Sequence, residues 1–381
     1  MALPEPTPDA REHSDRVAAH IREQIAASGG WISFARYMEL ALYAPGLGYY
    51  SAGAKKLGKA GDFVTAPEIS PLYGQTLARQ VKQVLEAGFD EVLEVGAGSG
   101  ALAATLLEEL ERAGSVPRSY LILELSADLR ERSRDTLAAR VPHLLERVAW
   151  LNRLPPSFSG VVLGNEVLDA MPVTMVRVQN GKIEEGGVGA RNGRLDWSWR
   201  VASGEPLEAA RALELPDGIR TEIQLAARGF LRSLADVLEK GVAFFVDYGF
   251  PEKEYYHPQR KDGTLMCHYR HQAHADPFWL PGLQDITSHV DFSAIARAAR
   301  DGGLELLGYT GQAQFLVNCG ITEIMSRTPA QDAGKFLPLA NQANRLMSPA
   351  EMGELFKVIA LGRGISAALV GFHEGDRRRS L

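Results

Sequence analysis

The chain has 381 residues, 45% of them hydrophobic and 23% charged, with a net charge of −6. That balance suits one large folded core with additions, or two domains. It argues against an electrostatic grip on nucleic acid, because the basic residues cluster only in the terminal Arg377-Arg378-Arg379. Two cysteines, Cys267 and Cys319, make no disulfide framework. No apolar run approaches the roughly 18 residues of a membrane helix, and Met1 to Arg16 carries no apolar signal segment. A reducing, cytoplasmic setting is therefore expected.

In chain order, residues 14–42 read as helical, with a break at Gly29-Gly30. Residues 44–74 are glycine- and proline-rich, with little periodicity. Segments of that kind and length are usually functional or disordered, and the aromatics Tyr49, Tyr50, Phe63 and Tyr73 argue for order. Helix resumes from about Leu72 to Ala87. From Asp90 strands and helices alternate: strand Glu91–Val95, helix Ser99–Arg112, strand Tyr120–Leu123, helix Ala127–Arg140, strand Val148–Leu151 and strand Val161–Leu163. A long helix is read from Arg220 to Lys240, followed by strand Val242–Val246. Phe292–Arg300 reads as helix, Leu304–Tyr309 as strand, Phe315–Met325 as helix and Leu355–Leu361 as a closing strand. Such alternation implies an α/β fold with a mostly parallel sheet and right-handed crossovers.

Two stretches interrupt it. Residues 173–200 read as a small antiparallel insertion with turns at Asn180-Gly181 and Asn192-Gly193. Residues from 250 to about 300 form a second insertion. Its first part, to about 290, is rich in His, Pro and aromatics and reads as a loop laid over the site. The expected organisation is thus a helical cap with a covering loop over residues 1–88, and a core over 89–375 carrying both insertions.

In an open parallel sheet, ligands bind beyond the carboxyl ends of the strands. Here those ends are unusually polar: Glu94 followed by Gly96, Gly98 and Gly100; Glu124; Asn165-Glu166; and Asp247. The glycines permit a sharp strand-to-helix turn and close backbone approach to a ligand. Glu124, 24 residues after Gly100, is placed to accept hydrogen bonds from ribose hydroxyls. Gly96, Gly98 and Ala101 also satisfy a looser dinucleotide pattern, so a dehydrogenase stays open. Glu94 favours a sulfonium cofactor, S-adenosylmethionine, because a carboxylate there attracts its cationic amino-acid portion and would repel a pyrophosphate. On that reading the chain is a methyltransferase, and Glu166 and Asp169, three apart, share a helical face or turn that holds a cationic acceptor. Solvent-facing carboxylates on a capped turn are the plainer alternative. His268, His271 and His274 could meet on a helix, but no matched ligand spacing accompanies them and no metal is expected. Asp285 is a helix cap, an acid near the site, or both.

Several segments together resemble the MidA family: Gly61 to Ser70, Glu94 to Gly100, Asn165 to Pro172, Asp247-Tyr248-Gly249 and Asp285 to Phe292. These are bacterial relatives of a mitochondrial protein arginine methyltransferase that assists assembly of respiratory complex I. The resemblance implies a class I methyltransferase fold, Rossmann-like, with a seven-stranded sheet. It implies S-adenosyl-L-methionine as cofactor, lined by Glu94, Gly96, Gly98, Gly100, Glu124, Leu125 and Asn165. It also places the loop with Thr65, Pro67 and Glu68 over that cofactor. Glu166, Asp169 and Asn165 become the expected catalytic group, with Asp247, Tyr248, His268 and Asp285 meeting the acceptor. That acceptor would be arginine in a protein, with a respiratory-complex subunit as candidate, carried to symmetric dimethylarginine. A small-molecule methyltransferase and a non-enzymatic assembly factor retaining the fold remain alternatives, and the oligomeric state, monomer or homodimer, stays open.

Overall fold

The computed structural model describes residues 3–52 and 64–381. The chain divides into two compact units. The first comprises residues 1–63, 169–229 and 250–291, and the second residues 64–168, 230–249 and 292–381. Helix Pro71–Glu86, expected in the cap, thus groups with the second unit, whereas residues 173–200 group with the N-terminal helices.

The second unit is built on seven strands of a sheet that has eight among the described residues, one more than expected: β1 (Glu91–Val95), β2 (Ser119–Leu123), β3 (Val148–Leu151), β4 (Phe158–Asn165), β5 (Leu238–Phe250), β6 (Glu305–Gly311) and β7 (Phe356–Arg363). Their spatial order is β3-β2-β1-β4-β5-β7-β6. The pairs from β3 to β5 are parallel, and β7 runs antiparallel to both β5 and β6. The order reverses between β1 and β4, which makes their carboxyl ends the topological switch point where ligands bind in such sheets. The strands are nearly continuous apolar runs, as a sheet covered on both faces requires; Val92, Leu93, Val161, Val162, Val242, Ala243 and Phe245 are fully buried. Helices Ala101–Arg112 and Ala127–Arg140 cross over between β1, β2 and β3. Arg140 ends the latter and bonds Thr105 and Glu108 of the former. This is the mostly parallel sheet that the alternation implied and the class I methyltransferase arrangement that the family resemblance implied.

The first unit is mainly antiparallel. Strands Thr174–Gln179, Lys182–Arg191 and Arg194–Val201 are joined at the two expected Asn-Gly turns, where Asn180 and Asn192 adopt the left-handed backbone such hairpins need. Strands Ile32–Ser33 and Arg220–Ile223 complete that sheet. Helices Pro8–Ala27 and Phe34–Tyr43 belong to the same unit, and Val17, Ile21, Ile25, Phe34, Tyr37 and Met175 share one apolar core. A second sheet, of three strands, is made of Met266–Tyr269, Gln272–His274 and Asp285–Thr287.

Three expectations are corrected here. Residues 220–240 are not one helix: Arg220–Ile223 is a strand, and only Leu225–Val237 is helical. The reason is Glu222, whose buried carboxylate accepts the backbone N–H groups of Thr264 and Leu265 and the Tyr255 hydroxyl, contacts from distant sequence that no local period reveals. The histidine run forms no helix either. His268 and His274 lie on paired strands joined by a turn at Arg270-His271, so spacing three does not bring the rings together. The Phe315–Met325 helix is broken at Gly320 into Gln312–Asn318 and Ile321–Met325. No helix among the described residues is long and apolar enough to cross a membrane.

Candidate functional site

Strand register brings the polar ends of the second unit level with one another. Val95 pairs with Leu123 on one side and Gly164 on the other, and Val246 pairs with Asn165. The next level therefore holds Gly96, Glu124, Asn165 and Val246, and Glu166 and Asp247 follow one residue further along the carboxyl edge of the sheet.

The glycine turn begins with the Gly96 N–H donating to Leu123 O at 2.9 Å. Gly96, Gly98 and Gly100 have φ of 68°, 56° and 80°, the left-handed region where a side chain is penalised. At Gly100 a Cβ would also lie 2.9 Å from the backbone Cα of Ser133, so the turn packs against helix Ala127–Arg140. Gly100→Ala is expected to cost about 2 to 4 kcal/mol through both effects, seen as a lower thermal midpoint and weaker cofactor binding. A variant as stable as the parent would show that the turn relaxes freely.

Around this turn the carboxylates are held closely. Glu124 is buried; it accepts the N–H of Gly98 at 3.4 Å and of Ser126 at 3.0 Å, which lays it across the mouth of the turn. Burial raises its pKa. The next side chain, Leu125, is 70% exposed, an apolar surface beside a polar cradle. Glu94 is 2% exposed and accepts the Tyr120 hydroxyl at 2.5 Å. Burial, with a smaller contribution from Glu124, pushes its carboxyl up to about 7 despite that hydrogen bond.

The Thr65–Ser70 segment meets the same turn. Thr65 caps helix Ala66–Ile69, with Pro67 in its first turn, and Glu68 accepts the Ser99 hydroxyl from the glycine turn. The Ala66 N–H donates to Glu166 Oε1 at 3.4 Å. Gly61, Asp62 and Phe63 of the expected covering loop lie outside the described residues.

Asn165 and Glu166 close β4. Asn165 Oδ1 accepts the Tyr73 hydroxyl at 2.6 Å, and its Nδ2 donates to Glu166 Oε1 at 3.2 Å. Glu166 has φ of 52°, unusual for a side chain of its size, and its N–H donates to Val246 O at 2.8 Å. Of the helical face or turn expected for Glu166 and Asp169, that backbone excludes the helix, and Leu168 to Met171 form a turn. Asp247 has a different job from the acceptor contact expected of it. It is 1% exposed, and its carboxylate accepts the N–H groups of Val167 at 3.2 Å, Leu168 at 2.9 Å and Tyr248 at 3.0 Å. It is a positioning residue for the turn after β4. Tyr248 packs edge-on to Phe356.

The remaining candidates, Asp169, His268 and Asp285, belong to the first unit. Asp169 is 4% exposed, and its carbonyl accepts the Ser288 N–H at 3.1 Å. Asp285 accepts the Tyr50 hydroxyl at 2.9 Å and pairs across strands with His268. Residue reading missed Tyr73, Tyr120 and Ser99 as partners of site carboxylates and amides. Each sits in an apolar or helical period that reads as packing, and only the fold brings it to its partner.

The second unit therefore offers a glycine turn with inward amides, a carboxylate across its mouth, an apolar side chain beside it and a buried acid beneath. This donor set fits S-adenosylmethionine: hydroxyls for Glu124, a purine face for Leu125 and a cation near Glu94. A family model described as that of S-adenosyl-L-methionine-dependent methyltransferases matches residues 74–310. A crystal structure of a COG1565 superfamily member from Burkholderia thailandensis, bound to S-adenosylhomocysteine, is 53% identical; the match covers 100% of both chains with a TM-score of 0.96. Among curated proteins, the mitochondrial protein arginine methyltransferase NDUFAF7 of Mus musculus is 30% identical over 90% of this chain and 83% of its own length. The Danio rerio protein of the same name is 29% identical over 91% and 86%. These relatives are described as mitochondrial, which overturns the cytoplasmic location expected from composition. With the glycine turn, the sheet order and these matches in agreement, the chain belongs to the MidA-like family of S-adenosylmethionine-dependent methyltransferases.

Proposed function

We propose that this methyltransferase modifies arginine side chains of a protein acceptor, to symmetric dimethylarginine by family resemblance, with a respiratory-complex subunit as the first candidate. The observation that carries the reading is the concentration of buried or half-buried carboxylates beside the strand ends, at Glu94, Glu124 and Glu166. A guanidinium stays protonated at any physiological pH and pairs with carboxylates through a fork of N–H donors. The curated relatives are named as protein arginine methyltransferases, which supports the same acceptor.

In this reading Gly96, Gly98 and Gly100 let the backbone approach the cofactor. Glu124 takes its ribose hydroxyls, Leu125 flanks its base, and Glu94 faces its cationic amino-acid end. Thr65, Pro67 and Glu68 cover it. The bound cofactor supplies a methyl group already activated on a sulfonium. The protein's work is then alignment and exclusion of water. Glu166, fixed by Asn165 and Ala66, orients an acceptor nitrogen toward the methyl. One S–C bond breaks, one N–C bond forms, and the acceptor nitrogen gives up a proton.

The test is transfer from tritiated S-adenosylmethionine into a lysate of the source cells, followed by acid hydrolysis and amino-acid analysis. Label is expected in methylated arginine of a discrete protein band. Label in small molecules alone, with S-adenosylhomocysteine binding confirmed, would overturn the protein-arginine reading.

A further inference from the structure

One buried cation stands outside the groups that line the glycine turn. Lys357, on β7, is 6% exposed and is the only buried lysine among the described residues. Burying an ammonium is costly unless hydrogen bonds and a counter-charge accompany it. Its Nζ donates to the Glu354 carbonyl and to Glu354 Oε1, the latter at 3.4 Å. Half of the Glu354 side chain is exposed, however, and its carboxylate is shared with Arg377, which donates to Oε1 at 2.5 Å and to Oε2 at 3.3 Å. Water and a second cation thus weaken Glu354 as a counter-charge.

Strand register supplies a second carboxylate. β7 lies between β5 and β6, and Lys357 is directly opposite Asp247 on one side and Gly311 on the other. Residues directly opposite on antiparallel strands point to the same face, with Cβ atoms about 4.5 to 5.5 Å apart. The next pair on that face is Phe245 with Ile359, both fully buried, so no water reaches the two charges from beneath. On the other flank a Cβ at Gly311 would come within 3.2 Å of Glu354 Oε2, so glycine leaves room for that carboxylate. Asp247, 1% exposed, is then the counter-charge that water does not dilute.

What Asp247 does with its charge links Lys357 to the glycine turn. Its carboxylate accepts the N–H groups of Val167 and Leu168. Val167 packs on that turn, since a Cβ at Gly96 would lie 3.0 Å from Val167 Cγ2. An ionised carboxylate is acceptor-only, whereas a protonated one turns a donor toward the same amides. A nearby cation favours the ionised form. All of these residues belong to the second unit. We propose that Lys357 is a positioning residue of the cofactor site: its charge holds Asp247 ionised, Asp247 fixes Val167 and Leu168, and Val167 sets the glycine turn for the cofactor. The role does not depend on which acceptor is methylated.

Calorimetry with S-adenosylhomocysteine on the full-length protein tests this, with thermal unfolding alongside. Lys357→Met keeps an unbranched apolar stem and removes the charge, and is expected to weaken binding about tenfold. Lys357→Arg keeps the charge and should stay within about threefold of the parent. The deciding comparison is made in an Asp247→Asn protein, whose neutral side chain needs no counter-charge. There Lys357→Met should change affinity by less than about twofold. A packing role would give the same loss in both backgrounds and would penalise the larger arginine at least as much as methionine. If the methionine protein does not fold, Lys357→Gln takes its place, since it removes the charge but keeps a donor for the Glu354 carbonyl. A loss confined to the Asp247 background and restored by arginine supports the proposal. Parental affinity in the neutral variants, equal losses in both backgrounds, or an arginine variant as weak as the methionine one overturns it.

Discussion

An Asp247→Ala protein is expected to retain its sheet but lose most methyl transfer, by about a hundredfold or more, with a clearly lower thermal midpoint. The carboxylate is buried and accepts three backbone N–H groups, those of Val167, Leu168 and Tyr248. Leaving such donors without an acceptor costs roughly 1 to 3 kcal/mol for each that water cannot reach. The loss does not fall on Asp247 alone. Val167 and Leu168 follow Glu166, whose left-handed backbone at φ of 52° persists only while its surroundings impose it. Freed from Asp247, that residue is expected to relax toward ordinary backbone angles and swing its carboxylate away from Asn165 and the Ala66 amide. Asp247→Asn gives the control. It keeps one acceptor oxygen but turns an amide NH2 toward backbone donors, so its stability and turnover should fall between parent and alanine variant. The readouts are thermal unfolding, S-adenosylhomocysteine affinity and turnover in the lysate assay. A stable alanine variant with parental turnover would show that Asp247 does not position the turn.

The part of this site legible in sequence is the part governed by local rules. A short apolar run, a glycine turn and an apolar-striped helix place β1 and its ligand edge without reference to anything distant. Parallel register then brings Gly96 and Glu124 level with Asn165, with Glu166 and Asp247 one residue beyond, so alternation alone is enough to nominate these strand ends. What that reasoning missed was the destination of each side chain. Asp247 looks like Glu166 in sequence, an acid at a strand end, yet one is consumed by backbone amides and the other is half-exposed. Tyr73 sits 92 residues before its partner Asn165, and Tyr50 sits 235 before Asp285. Hydrogen bonds over such separations leave no period to detect. Arg220–Ile223 fails for the same reason in reverse. Its helix-compatible composition was overruled by a buried Glu222, whose partners come from a loop some forty residues later.

Glu94 carries the prediction with the widest reach, because its protonation should couple cofactor binding to pH. Burial holds its carboxyl near 7, so below that pH the cofactor-free protein carries it largely neutral. A cation placed beside it favours the ionised form and lowers its pKa. Binding at pH 6 must therefore expel close to one proton, and affinity should fall as pH drops below 7. At pH 5.5 the loss approaches about thirtyfold relative to the plateau above pH 7.5, provided the bound-state pKa lies lower still. The sign for folding is the opposite. A carboxyl whose folded-state pKa is raised leaves stability intact below its unfolded value of 4.5 and costs stability as pH rises through about 7. Glu94→Gln should remove both dependences: weak binding at every pH, and a flatter stability profile without cofactor. Calorimetry with S-adenosylhomocysteine, in buffers of differing ionisation enthalpy between pH 5.5 and 8.5, counts the released proton directly. Affinity independent of pH in the parent, or an unchanged pH profile in the glutamine variant, would mean that another group faces the cofactor's ammonium. The Tyr120 hydroxyl supplies an internal check. Tyr120→Phe removes the hydrogen bond that opposes the upward shift, so the midpoint of the affinity profile should move above 7, whereas a role for Glu94 in packing alone would leave it in place.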